Sequence, residues 1–189
     1  QFIKTATGTL VYDGDSSAFA GDTTIADGGL IVGSDAAHAA AVLGGSFNVQ
    51  DGSTLGGHGT LGSGAGSTVT IASGGTLAPG NSIGTINIDG NLAFAAGSVY
   101  EVEVDAAGNS DKIIASGTAS LNGGTAKVLA GSGSYAPQTN YTILTADGGR
   151  TGTFSGVTSN LAFLTPLLGY DANNVYLTMQ RNDRSFAGI

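Results

Sequence analysis

The chain has 189 residues, of which 33 are glycine and none is cysteine, and its 14 acidic and 6 basic side chains give a net charge of −8. A disulfide framework and a cysteine-based zinc site are excluded, because both need thiolates. Nucleic-acid binding is not expected either, because it needs basic side chains that neutralise phosphates.

The first ninety residues repeat a short pattern of an apolar residue, a spacer, Asp or Ser, one or two glycines and another apolar residue. The pattern occurs at residues 25–30, 49–55 and 71–77 and, in a shorter form, at 88–92. Successive corner glycines are 24, 22 and 16 residues apart, at positions Gly28, Gly52, Gly74 and Gly90. Glycine supplies the positive φ angles of tight corners, and imperfect repeats of this length are typical of a solenoid.

We therefore predict an all-β fold in which residues 1–95 form a right-handed parallel β-helix. A single coil cannot bury its own apolar face, so stacked coils share one inner column of Ile, Val and Leu. A β-sandwich is the alternative, and it would show more regular alternation and fewer glycines.

One segment of this half has a helical pattern. The pair Ser34-Asp35 is predicted to be the N-cap of two helical turns over residues 36–43, and Gly44 and Gly45 would end them. A looped-out, alanine-rich segment is the alternative interpretation.

From residue 96 onward the predicted strands are longer, and five of the six tyrosines lie here. Residues 98–104 alternate with a period of two, which places Tyr100, Val102 and Val104 on one side of a strand. A solenoid needs an end that stops further strand addition, and large side chains bury the most apolar area per residue. We predict that residues 96–181 form an aromatic-rich β cap. Its folding nucleus is predicted to consist of Tyr141, Ile143, Leu144, Phe154, Leu161, Phe163, Leu164, Tyr170, Val175, Tyr176 and Leu177.

Few residues in the sequence are candidates for chemistry. His38 and His58 are weak metal ligands, and His58 lies among glycines that predict an exposed corner. Glu101 and Glu103 share a strand face, as a glycosidase pair would, but a solvated outer face is the favoured interpretation. We expect no enzyme activity, no cofactor and no metal.

The short polar residues of the corners have mainly structural interpretations. Asp13, Asp15 and Asp22 fit turn chemistry better than calcium binding. Three asparagines beside the repeats could point inward as ladders between coils or lie on the surface: Asn48, Asn87 and Asn91.

Three segments resemble the passenger region of bacterial autotransporters, which use type V secretion. Residues 5–33, with Gly8-Thr9-Leu10 and Gly28-Gly29-Leu30, resemble the passenger-associated repeat. Residues 75–85, GTLAPGNSIGT, look like a segment found late in such passengers, and residues 141–179 look like the tail before the translocator. The resemblance implies a C-terminal passenger segment that contains the autochaperone region, within a longer protein. Residues 182–189 would then begin the linker to a translocator barrel.

The resemblance implies a structural function. The segment would nucleate and cap the β-helix and so promote folding and secretion across the outer membrane. Its partners would be its own upstream coils and the downstream β-barrel translocator. Its location would be the cell surface or outer membrane, or the medium after cleavage, in each case after passage through the periplasm. The alternative is an adhesin or self-associating module that binds a host cell surface or a second copy.

Overall fold

The computed structural model describes residues 1–182 as a coiled array of short strands. In chain order the strands are β1 (Phe2–Lys4), β2 (Thr9–Tyr12), β3 (Asp15–Ser16), β4 (Asp22–Ile25), β5 (Gly29–Val32), β6 (Val42–Leu43), β7 (Ser46–Val49), β8 (Thr54–Gly57), β9 (Thr60–Leu61), β10 (Thr68–Ile71), β11 (Thr76–Pro79), β12 (Thr85–Ile88), β13 (Asn91–Phe94), β14 (Val99–Val104), β15 (Lys112–Ala115), β16 (Ala119–Asn122), β17 (Thr125–Ala130), β18 (Gln138–Ala146), β19 (Arg150–Thr153), β20 (Gly156–Ser159), β21 (Leu164–Tyr170) and β22 (Asn174–Arg181).

Every third strand joins the same sheet as far as β20, so the chain winds around three sides. Sheet A has the order β1-β4-β7-β10-β13-β16-β19, and sheet B has the order β2-β5-β8-β11-β14-β17-β20. Sheet C runs β3-β6-β9-β12-β15-β18-β22-β21. All pairs are parallel except β18 with β22 and β22 with β21. The predicted parallel β-solenoid is confirmed, and the sandwich alternative is wrong.

The register of the sheets builds one apolar column. In sheet A, Ile25 pairs with Val49, which pairs with Ile71. Ile71 then pairs with Phe94 and Phe94 with Leu121. All five side chains are at most 1% exposed. A slip of one residue would turn the whole set outward, so the apolar pattern fixes the register.

Glycine is required where a corner lies against the coil below it. Gly45 has φ of +81°, and a Cβ atom there would lie 1.9 Å from the carbonyl oxygen of Gly21. A side chain is therefore excluded both by backbone conformation and by the stacking of coils.

The predicted helix is much shorter than expected. A 3₁₀ helix covers Ala36–His38 only, with Asp35 as its N-cap, and β6 already begins at Val42. The cap prediction is confirmed, and the prediction of two turns is wrong, because Val42 pairs with Asp15 of the coil below.

The asparagines do not form an inward ladder. Asn48 is exposed, and Asn87 alternates with the buried Ile86 and Ile88, so its side chain lies on the outer face. Asn91 instead links three coils, because its Nδ2 donates to Ala65 O at 3.1 Å and its Oδ1 accepts from Thr118 N at 2.9 Å.

Parallel pairing does not change at residue 96. β14 pairs in parallel with β11 and β17, and β17 pairs in parallel with β20. Strand pairing is thus continuous across the division predicted between residues 95 and 96, and the division itself stays a prediction. Most of the predicted linker, residues 183–189, lies outside the described residues.

Candidate functional site: the C-terminal cap

The cap is the place where sheet C reverses direction. β18 pairs in parallel with β15, with Ile113 opposite Leu144, and on its other side it pairs antiparallel with β22. β21 then pairs antiparallel with β22. A hairpin therefore occupies the position that a further parallel coil would take in this sheet.

Most of the predicted nucleus residues lie in the core that this hairpin covers. Seven of the eleven are buried: Tyr141, Ile143, Leu144, Phe154, Leu164, Val175 and Leu177. Leu161, Phe163 and Tyr170 are partly buried and pack against that core. Tyr176 is the exception, because the residue is 36% exposed and its hydroxyl donates to Asp171 Oδ2 at 2.6 Å. The structure thus brings ten of them together, while their role in folding stays a prediction.

A β-bulge lies at the centre of the cap. The register of β18 against β22 shifts between Thr142 and Leu144, so Ile143 and Leu144 are both fully buried instead of alternating. The hydroxyl of Tyr100, also fully buried, donates to Ile143 O at 2.6 Å. Tyr100 belongs to β14 in sheet B, so this bond joins sheet B to β18, the last parallel strand of sheet C, on which the reversed strand β22 packs.

Aromatic rings fill the space beneath the bulge. Phe94, Tyr100 and Phe154 form a cluster with ring centroids 5.2 to 6.1 Å apart, and the Phe94 and Phe154 rings meet edge to face. Such pairs add about 0.5–1.5 kcal/mol each beyond the area that they bury. Phe94 and Tyr100 lie on consecutive strands of one coil, β13 and β14, whereas Phe154 lies between β19 and β20 of a later coil, so the cluster ties two coils together.

Two further tyrosines close the end of β14. Tyr141 donates to Asp105 O at 2.6 Å, and Tyr135 donates to Val104 O at 3.3 Å. Burial raises the pKa of Tyr141 to about 12, so its hydroxyl stays a donor at physiological pH. On the outside of the cap, the Arg150 guanidinium lies 4.8 Å from the centroid of the Tyr170 ring.

Tyr100 and Met179 are not among the predicted nucleus residues, although both are fully buried in the cap. The alternation of residues 98–104 did place Tyr100 on the inner side, and the burial of β14 confirms that side. Nothing in the sequence indicated its bond to residue 143.

Acidic residues meet at a groove on the outer face of sheet B. The groove has a volume of about 220 Å³, and its lining includes Glu101, Glu103, Asp111 and the loop that contains Asn81. Glu101 forms an ion pair with Lys127 at 2.9 Å. The Asp111 carboxylate is 1% exposed and accepts from Gly84 N at 2.8 Å and Glu103 N at 2.7 Å. With both oxygens held by the backbone, Asp111 fastens this loop to β14.

The histidines lie apart from the cap. His38 is exposed and its Nδ1 lies 2.8 Å from Asp35 Oδ1. His58 is half-buried beneath Gly84, so the expected exposed corner is wrong for this residue. Among residues 1–182, no group of three or more His, Asp or Glu side chains is arranged to hold a metal ion. Within the same range, the structure has no helix with the length and apolar character needed to span a membrane.

These features define a β-solenoid of parallel coils with an antiparallel cap on one sheet. The sequence is similar to two curated proteins, each described as an extracellular serine protease of Serratia marcescens, at 35% and 31% identity over 195 residues. Each alignment covers 98% of this chain but only 17% of the relative, so the chain spans about a sixth of the length of these relatives. No defined protein family matches the chain. The alignments support homology with a short part of an extracellular protein.

Proposed function

We propose that this chain is the C-terminal part of an autotransporter passenger and that its cap nucleates and closes the β-solenoid. The observation that carries the proposal is the reversal of sheet C, in which Val175, Leu177 and Met179 of β22 are fully buried against β18. A strand that runs backwards ends the parallel repeat, and its buried side chains give the last coils an apolar core. The chain contributes structure and not catalysis, since the buried carboxylate of the outer groove is engaged by backbone donors.

The proposed partner at the other end is a preceding coil of the same, longer protein. In the first coil, Leu10 pairs with the buried Leu30 and so faces the inner column, yet it is 40% exposed. Phe2, Phe19 and Leu43 line an adjoining apolar hollow of about 230 Å³. A preceding coil would cover these groups and pair with the open edges of β1, β2 and β3.

The proposed location is the cell exterior, at the surface or in the medium after cleavage from a downstream β-barrel translocator. Passage through the periplasm to the outer membrane is part of the same proposal. The extracellular description of both relatives supports it.

Folding kinetics of matched core variants test the nucleation proposal. Leu177→Ala in the cap and Leu55→Ala in an early coil remove the same side chain from fully buried sites, and each should cost about 2–5 kcal/mol at equilibrium. If the cap folds first, Leu177→Ala slows refolding by roughly tenfold or more, whereas Leu55→Ala mainly speeds unfolding. Stopped-flow refolding and unfolding in denaturant measure both rates. The proposal would be refuted if Leu177→Ala left the refolding rate unchanged and Leu55→Ala lowered it.

A further inference from the structure

The C-terminal end of the solenoid leaves one long strand edge. Within residues 1–182, β21 is the last strand of sheet C and pairs on one side only. It has seven residues, whereas β19 and β20, which end sheets A and B, have four each. An edge of this length presents backbone groups to which a strand of another molecule can add. Leu167, 49% exposed on the outer face of β21, would add apolar contact to such pairing.

The hydrogen bonds at the start of the hairpin fix which residues face that edge. Asn182 N donates to Phe163 O at 3.0 Å, toward β21, whereas Arg181 N donates to Pro137 O at 3.0 Å, toward the β18 side. Main-chain groups alternate along a strand, so Met179 also faces β18. Pro166 lies opposite Met179. Opposite residues of two antiparallel strands either exchange two backbone hydrogen bonds or exchange none, and because the Met179 groups face β18, this pair exchanges none. The backbone groups of Pro166 therefore face the free edge.

The same alternation applies along β21, whose free-edge positions are Leu164, Pro166, Leu168 and Tyr170. Leu164 N already donates to Leu161 O at 3.1 Å. Proline has no N–H group. Leu164 and Pro166, the first two of these four positions, therefore have no N–H group available to an incoming strand.

We propose that Pro166 closes the free edge of β21 to a strand from a second copy of this chain. An added strand would meet no donor along the first half of β21, and the pyrrolidine ring would stand where its backbone must approach. Sheet C then ends at β21 in the monomer. This inference goes beyond the proposed function, because it concerns association between molecules and holds whether or not the cap nucleates folding.

The test compares Pro166→Val with Thr165→Val. Both variants add one valine to β21, but only the first restores a donor at the free edge, since Thr165 faces β22. Light scattering coupled to size-exclusion chromatography should show that Pro166→Val associates at concentrations at least tenfold below those at which the wild type and Thr165→Val do. Hydrogen exchange should show that protection of the Leu168 and Tyr170 amides rises with concentration in Pro166→Val alone.

Association through the exposed first coil is common to all three proteins and cancels in the comparison. If circular dichroism shows that Pro166→Val does not fold, Pro166→Ala is tested in its place, because it restores the same donor with a smaller side chain. Equal association of the proline variant and Thr165→Val, with no concentration-dependent protection at Leu168 and Tyr170, overturns the proposal.

Discussion

Tyr100 connects the parallel coils to the cap through one buried hydroxyl group. Phenylalanine at this position keeps the ring in its aromatic cluster and leaves the carbonyl of Ile143 without that donor. A buried polar group that loses its partner costs about 1–3 kcal/mol, so Tyr100→Phe should lower the free energy of unfolding by that amount in a denaturant titration. Tyr176→Phe is the control, because the Tyr176 hydroxyl bonds to an exposed carboxylate, and surface changes usually stay within about 0.5 kcal/mol. Equal effects of the two variants would argue against a special role for the bulge.

Asp111 should make stability depend on pH near neutrality. Burial, together with the charges of Glu103 and Glu101, raises the pKa of Asp111 to about 7, although two backbone N–H groups lower it. The native state therefore binds this proton more tightly than the unfolded chain, so the contribution of Asp111 to stability is full at low pH and is lost as the pH rises from about 4 to 7.

Asp111→Asn cannot ionise, so relative to this variant the wild type should lose on the order of 1–3 kcal/mol between pH 4 and 8. Urea titrations of both proteins across that range give the difference. His38 also has a raised pKa, because of Asp35 and Asp13, and its contribution runs in the same direction. It is common to both proteins and cancels in the comparison. If the free energies of unfolding of the two proteins changed with pH in parallel, the pH dependence could not be assigned to Asp111.

Glycines at corners and in strands differ in how much the stacking of coils depends on them. Gly45 has a positive φ and lies against a neighbouring backbone, Gly52 has φ of +73° but open space around it, and Gly156 has open space and an ordinary φ. Substitution by alanine should therefore lower the free energy of unfolding by roughly 2–4 kcal/mol at Gly45, by about 1–2 kcal/mol at Gly52 and by less than about 0.5 kcal/mol at Gly156. Thermal or denaturant unfolding of the three variants checks this order. If Gly45→Ala destabilised the protein no more than Gly52→Ala does, the coils would have to be able to move apart to make room for the added methyl group.

Corner glycines and apolar strand residues were enough to predict the solenoid, because both features are local and repeat along the chain. Ten of the eleven predicted nucleus residues lie together, since large apolar side chains in alternating strands pack into the core, but their role in folding stays a prediction. The antiparallel reversal and the bulge at Ile143 could not be predicted, because they depend on which strands meet after folding. The half-burial of His58 has the same origin, since it depends on Gly84 of the next coil.

Across the whole molecule, burial is uneven from one end of the solenoid to the other. β2 has no buried residue, and Lys4 is the one buried residue of β1, whereas every second residue of β12 through β15 is buried. In a stack of coils, each coil is stabilised by its own core and by its two neighbours. The first coil has a thin core and one neighbour in this chain, so it should open first.

Native-state hydrogen exchange should accordingly show amide protection that rises from β1 and β2 to a maximum around β14 to β18. A chain that begins at residue 21 should keep its unfolding midpoint within a few degrees of the intact chain, because little buried area is lost. A chain that ends at residue 162 loses β21 and β22, uncovers the fully buried Ile143 and Leu144, and should lose cooperative unfolding or melt far lower. Uniform protection along the chain, or equal destabilisation by the two deletions, would show that stability does not concentrate near the cap.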